Sequence, residues 1–190
     1  MRSDYGVRLE PLALHHAEDL QTASADGAIW QLNYTTAPGP DLESVRDYIT
    51  AALTGQKRGE CRPFAVFDAA GRVLGSTRFY DIDAATPTVA IGYTWYAASA
   101  QRTRVNTACK RLLLEDAFEV MSVTAVYFHT SHLNLRSQAA IARIGARRDG
   151  ILRQHKRHKD GSLRDTYTYS ILDSEWPAIR QRLDMRLLAG

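Results

Sequence analysis

Cysteine is scarce: the 190 residues hold two, Cys61 and Cys109. They are too few and too far apart for a disulfide framework or for a zinc, redox or haem motif, so a reducing compartment is expected and both thiols read as packing residues. Cys109 would serve as a nucleophile only with a lowered pKa, and nothing adjacent in the sequence requires one. Long apolar runs are also missing. No stretch approaches the roughly 20 residues of a membrane span, and the N-terminus lacks the apolar centre of a signal peptide. The expectation is a cytoplasmic protein with no membrane partner and no metal. Neither charge is in large excess: a net charge of +3 is too small to imply a nucleic-acid partner. The basic run RQHKRHK (153–159) therefore reads first as a solvated face, with an RNA-associated surface as the weaker alternative. There is no internal repeat and no low-complexity tract.

What is present fits one domain, residues 1–190, large enough to bury a core without staples. A short strand is expected at 7–10 and a helix from His15 to about Ser24. The segment 26–40 loses periodicity and gathers Trp30, Tyr34, prolines and glycines, the mark of a loop. Asp41 is a plausible N-cap for a helix through about Leu53, ending near Gly55. PFAVFD (63–68), VLGSTRFYDID (73–83) and VAIGYTWY (89–96) follow each other through short turns and should pair as an antiparallel meander. Gly92 inside the third of these hints at a bulge or a close backbone approach. A helix at 107–121 should bury Ala108, Leu113, Leu114, Ala117, Phe118 and Met121 and expose Lys110, Arg111, Glu115 and Glu119, with Arg111 and Glu115 paired one turn apart. The strand 124–130 after it implies a parallel crossover. A short helix then runs from about Asn134 or Leu135 to Ile144, stopping at Gly145. Strands at 147–156 and 164–172 form a hairpin, and an amphipathic helix at 174–188 closes the chain.

Residues 101–107, QRTRVNT, sit between the strand ending at Tyr96 and a helix. The first turn of a helix leaves N–H groups unpaired and carries the positive end of the dipole, which makes an anion site. Arg102 and Arg104 lie on this turn, with Lys110 and Arg111 one turn further on, so a phosphate is the natural guest. Taken alone, the turn reads equally as a plain connection with solvated arginines.

The element order, this turn, NLRSQAAIARIGARRDGILRQH (134–155), DGSLRDTYTYSIL (160–172) and EWP (175–177) together resemble the GCN5-related N-acetyltransferase (GNAT) superfamily. Within it they are similar to the ribosomal-protein N-terminal acetyltransferases of the RimJ/RimL type. The resemblance implies an α+β fold with a mixed, splayed, mostly antiparallel sheet of about seven strands flanked by helices. Acetyl-CoA, the acyl donor, would lie in the gap between the strand ending near Tyr96 and the strand 124–130. Its expected contacts are Thr94, Trp95 and Tyr96, the turn Gln101, Arg102, Thr103, Arg104, Val105, Asn106 and Thr107, and Asn134. Two departures stand out. Arg104 and Asn106 occupy positions where the family usually has small residues; Arg104 would add a charged contact, and Asn tolerates the backbone angles that Gly would adopt. Ala90 replaces the Glu that many relatives carry as general base.

The implied reaction moves an acetyl group directly to a primary amine, a peptide N-terminus or a small molecule, with no acyl-enzyme. It needs a deprotonated amine, a polarised carbonyl and a proton for the thiolate. Ile141 stands where other branches place a Tyr acid, which leaves Ser137 as general acid; Ser137 also reads as an ordinary helix N-terminal hydroxyl, and Asn134 as an N-cap. His129 is a weak base candidate beside His132, Asp81 and Asp83, and a water chain is another route. Trp30, Tyr34, Phe64, Arg78, Tyr80 and Tyr93 are expected to wall the acceptor side. Little negative charge there argues against polyamines and aminoglycosides and for a peptide amine or a small amine, one with a carboxylate near Arg78 included. A homodimer is common among proteins the chain resembles. The rival reading is a non-catalytic acyl-CoA-binding or regulatory module on the same fold.

Overall fold

The computed structural model describes residues 2–189, with side chains from Asp4; Met1 and Gly190, which the expected domain span includes, lie outside the described residues. Eight strands form one sheet in the order β1-β2-β3-β4-β5-β6-β8-β7. They are β1 (Arg2–Asp4), β2 (Val7–Pro11), β3 (Cys61–Asp68), β4 (Val73–Asp83), β5 (Thr88–Tyr96), β6 (Ala125–Ser131), β7 (Arg147–Arg157) and β8 (Leu163–Leu172). Neighbours pair antiparallel except β5 and β6, which run parallel. The meander, the parallel crossover and the terminal hairpin are as the strand patterns imply. The three-residue β1 raises the strand count above the seven or so expected; it is too short to show any period.

Helices cover both faces. On one, α1 (Ala17–Ala25) and α2 (Leu42–Lys57) pack Leu20, Val45, Ile49 and Ala52 against Ala65, Phe67 and Trp95. On the other, α3 (Val105–Glu115), α4 (Leu135–Arg143) and α5 (Trp176–Leu188) bury Leu113, Leu114, Ile141, Ile144 and Leu183 against Phe79, Ile91 and Phe128. Two caps fix helix starts. Asp41 Oδ1 accepts the Ser44 N–H at 2.8 Å and Asn134 Oδ1 accepts the Ser137 N–H at 3.0 Å, each satisfying a first-turn donor. α2 runs past Gly55 to Lys57, because the left-handed turn that ends it is taken by Gly59 (φ 76°).

Helix α3 corrects the expected helix 107–121 in two ways. It begins two residues earlier and gives way after Glu115 to a π-type turn, Asp116–Val120. Lys110 and Arg111 are buried rather than exposed, at 5% and 4%, because α5 and the sheet cover the face that helical spacing alone assigns to solvent. Arg111 is paired there: its Nε donates to Asp184 Oδ1 of α5 at 2.6 Å and its Nη1 lies 3.2 Å from Glu115 Oε1. The Asp184 carboxyl is held low by its hydrogen bonds with Arg111 and Tyr5, against an opposing effect of burial. Lys110 has no carboxylate within ion-pair range among the described residues. Its Nζ donates to Thr94 Oγ1 of β5 at 2.8 Å, and burial lowers its pKa to about 8.

The Lys110 shift predicts a pH effect with a definite sign. Between pH 8 and the ordinary lysine value of 10.5 the unfolded chain binds a proton that the native state has released, so stability rises with pH across this window. The Lys110→Met variant should lack a rise on the order of 3 kcal/mol, measured by urea unfolding at pH 7.5 and 10.5; parallel pH profiles for the two proteins would contradict the assignment. Gly75 generates a second expectation. It lies opposite Tyr96 with φ 150°, where a Cβ would run into the Trp95 carbonyl oxygen and come within 2.9 Å of Tyr96 Cα. Both obstacles are backbone, so Gly75→Ala should lose about 2 kcal/mol or more of unfolding free energy, and an unchanged melting temperature would show that the strand can yield.

Candidate active site

Strands β5 and β6 pair over three positions only, Thr88 with Ala125, Val89 with Val126 and Ala90 with Tyr127. Beyond Ala90 they separate while each keeps its outer neighbour, β4 or β8. The separation coincides with a bulge. Trp95 faces Ser76 but Gly92 faces Arg78, so β5 carries one extra residue, and Tyr93 takes the strain with φ 51°. Gly92 meets both sequence expectations, since a Cβ there would lie 2.7 Å from the Tyr80 ring that crosses it. A cavity of about 1180 Å³ opens in the gap, walled by residues 91–96 of β5 and 128–131 of β6. Among the three expected contacts on β5, Trp95 sends its indole into the α1/α2 core, Tyr96 buries its ring on the α3 side and Thr94 Oγ1 is held between Lys110 and Thr77, 2.8 Å from each partner atom. Their backbone groups are what this strand offers the cavity.

The mouth of α3 supplies the second wall. Gln101, Arg102, Thr103, Arg104, Asn106 and Thr107 line the cavity, whereas Val105 packs against the core. The turn is fixed by its own side chains: Gln101 Nε2 donates to the Tyr96 carbonyl at 3.0 Å, and Thr103 Oγ1 donates to the Ala100 carbonyl at 2.7 Å and accepts the Val105 N–H at 3.2 Å. The left-handed residue is Arg102 (φ 61°), not Asn106. Arg104 is already helical and heads α3, so Asn106 sits in the first turn, where its Oδ1 accepts the Tyr96 hydroxyl at 3.4 Å. Lys110, one turn further along the same face, lines the cavity too; Arg111 turns away to Asp184 and does not. Cys109, wholly buried, has its thiol pushed up to about 11 by burial, which suits packing and not nucleophilic chemistry.

Across the gap, α4 presents Asn134, Ser137 and Ile141. Asn134 spends its side-chain oxygen on the cap, while the Ser137 hydroxyl has no hydrogen bond to protein among the described residues and is left for a guest. Ala90 is buried at the last paired position and does not line the cavity.

The far end holds Tyr34, Tyr80, Tyr93 and His129. Tyr80 Oη lies 3.0 Å from His129 Nδ1, and burial keeps this imidazole below its ordinary pKa, hence neutral at pH 7. For its Nε2 to accept a proton, Nδ1 must carry the hydrogen and donate to Tyr80. Of the expected acceptor wall, Trp30, Phe64 and Arg78 do not reach the lining. Phe64 packs edge-on to Phe79. Arg78 is 8% exposed and sits behind Tyr93, its guanidinium carbon 4.3 Å from that ring's centroid. Trp30 contributes its carbonyl, which accepts from Lys159 Nζ at 3.0 Å; Lys159 N–H donates to the Asn33 carbonyl at 3.3 Å and Asn33 Nδ2 to Asp160 Oδ2 at 2.7 Å. The β7–β8 turn is thereby clasped to the 29–36 loop. His132 bonds to the Asp165 backbone, Asp83 holds its own turn, and Asp81 is exposed; none of the three lines the cavity.

Sequence reading missed Lys156 and Arg164 in the lining and had Lys110 pointing to solvent. Two signals were there to be used. Arg164 shares strand parity with the buried Thr166, and Lys110 lies four residues after Asn106, so each falls on an inward face once its neighbour is placed.

The family model described as "Acetyltransferase (GNAT) domain" matches residues 7–147. Among solved structures, a GCN5-related N-acetyltransferase from Brucella melitensis is 31% identical, with 97% of this chain and 84% of that one covered and a TM-score of 0.88. A structure from T. thermophilus is also 31% identical, covering 97% and 95% with a TM-score of 0.85. Mycobacterium smegmatis RimJ in complex with CoA-disulfide shares the fold at 20% identity, 95% and 88% coverage and a TM-score of 0.81. No curated protein matches. With a split between parallel strands beside a helix mouth, and a family match over most of its length, the chain belongs to the GNAT acetyltransferases, which are acetyl-CoA-dependent N-acetyltransferases.

Proposed function

We propose that the chain transfers an acetyl group from acetyl-CoA straight to a primary amine, with no acyl-enzyme, as a domain that comprises the whole chain. The observation that carries this is the pairing of two unlike surfaces in one cavity: two unpaired strand edges and a basic helix mouth. Strand edges present N–H and C=O groups that suit an amide-bearing chain, and the first turn of α3 with Arg102 and Arg104 suits a diphosphate. The donor's pantetheine arm runs along Thr94, Trp95 and Tyr96, while its phosphates meet residues 101–107 and Asn134 flanks them. An N–H of the β5 edge polarises the thioester carbonyl, and the Ser137 hydroxyl gives its proton to the departing thiolate. His129, through Nε2, or a water chain takes the proton of the amine. Tyr34, Tyr80 and Tyr93 wall the acceptor side, with Trp30 and Arg78 behind that wall rather than in it.

Likeness in fold to the RimJ–CoA-disulfide structure supports a RimJ/RimL-type placement, and with it an acceptor that is a peptide N-terminus or a small-molecule amine; the same placement brings in a cytoplasmic location and a homodimer. One observation favours a second reading, a non-catalytic acyl-CoA-binding module: no Asp or Glu lines the cavity among the described residues, so the site lacks a carboxylate base. Calorimetry with acetyl-CoA and a thiol-release assay over an amine panel separate the two, since binding without release for every amine would favour the module. For the enzyme, Ser137→Ala should lower the transfer rate constant about 100-fold while leaving acetyl-CoA affinity unchanged; undiminished turnover would remove Ser137 from the mechanism.

A further inference from the structure

Among the described residues, every lining side chain that carries a full charge at neutral pH is a Lys or an Arg. Arg102 and Arg104 lie at the mouth of α3, where the donor's phosphates would use them, and Lys110, Arg136, Arg143 and Arg186 line the cavity from α3, α4 and α5. Lys156 and Arg164 do not belong to that group. Arg164 lies close enough to Tyr80, Tyr93 and His129 to influence or be influenced by each, which puts it at the acceptor end. Arg78 lies behind Tyr93 and outside the lining, so it does not share this position.

Arg164, half-buried, lacks the carboxylate partners that the buried Arg111 has. Arg111 is met by Asp184 and Glu115. Arg164 makes no ion pair among the described residues, and its Nε is buried without a hydrogen-bond acceptor. Burial without a partner disfavours the charged form and lowers its pKa. Nearby carboxylates are committed elsewhere: Asp165 Oδ1 accepts the Gln154 N–H at 2.7 Å, and Asp160 is taken by Ser162 and Asn33. Asp81 is exposed and stands outside the lining. A half-buried, fork-shaped cation that lines a cavity and has no ion-pair partner among the described residues is complementary to a planar anion.

We propose that the acceptor is a small amine carrying its own carboxylate, an amino acid or a close analogue, whose carboxylate is bound by Arg164. This rests on the acetyl-transfer reading above and narrows its acceptor. The tyrosines give the pocket apolar faces for the amino acid's side chain, and the all-basic lining repels polyamines and aminoglycosides. Atoms balance without a further reactant: the amine nitrogen forms the bond to the acetyl carbon, the C–S bond breaks, and the amine's proton is exchanged for one on the thiol.

The test uses matched acceptors, phenylalanine, phenylalaninamide and phenethylamine, with the methionine and leucine counterparts, read by thiol release with acetyl-CoA. The wild-type protein should prefer the acids over their amides and decarboxylated amines by about 100-fold in kcat/KM. Arg164→Gln should bring the acids down to the level of the amides, leave the amides nearly unchanged, and bind acetyl-CoA as the wild type does by calorimetry, which also shows that the variant folds. Arg164→Lys should recover part of the preference. Amides or a protein N-terminal peptide used as well as the acids, or equal losses for acids and amides in Arg164→Gln, overturn the proposal while leaving acetyl transfer intact. Absence of thiol release with every amine, peptides and polyamines included, fails the transfer reading itself.

Discussion

Three paired positions between β5 and β6 set the geometry of everything else. Held together at Thr88–Ala90, the two strands diverge just where Gly92 and Tyr93 insert an extra residue into β5. Had pairing continued, the edges would be saturated and no guest could meet them. Because β4 and β8 hold the outer edges, the split costs hydrogen bonds only along the inner edges, and a ligand able to hydrogen-bond on both sides can restore them. The gap is thus a polar vacancy inside an otherwise continuous sheet, with apolar cores on both faces keeping it rigid.

Charge follows from that vacancy. Lys110 Nζ, Thr94 Oγ1 and Thr77 Oγ1 form a chain of two short bonds that ties α3 to the bulge of β5 and to β4. The helix mouth and the strand edge are therefore held in fixed relation, and an extended donor must satisfy both at once. Burying an unpaired lysine opposes folding; the cation is tolerated beside a cavity whose guests carry negative charge. Arg111 shows the alternative solution, a guanidinium bound by carboxylates within the core.

Most of the element pattern was legible because it depends on local signals. The alternating runs of β3, β4 and β5, the caps at Asp41 and Asn134, and the glycine-marked turns are each decided by a few neighbouring residues. The bulge was legible through Gly92, where strand interior and glycine conflict. The burial of Arg111 was not legible, since helical spacing says which residues share a face but not that α5 arrives to cover it. Arg78 was placed at the wall from its residue type and strand position, and its stacking behind Tyr93 depends on the backbone angle that Tyr93 adopts in the bulge. Arg102 and not Asn106 is left-handed for a similar reason: where a turn ends and a helix starts differs by one or two residues, and that offset decides which residue goes left-handed.

The most direct test of the account is where a bound donor puts its phosphates. A crystal structure of the protein with CoA should show the diphosphate against the N–H groups of residues 102–107 and the pantetheine arm running through the split between β5 and β6, its thiol end toward Ser137. Density for CoA elsewhere on the molecule, with this split left unfilled at saturating ligand, would contradict the account.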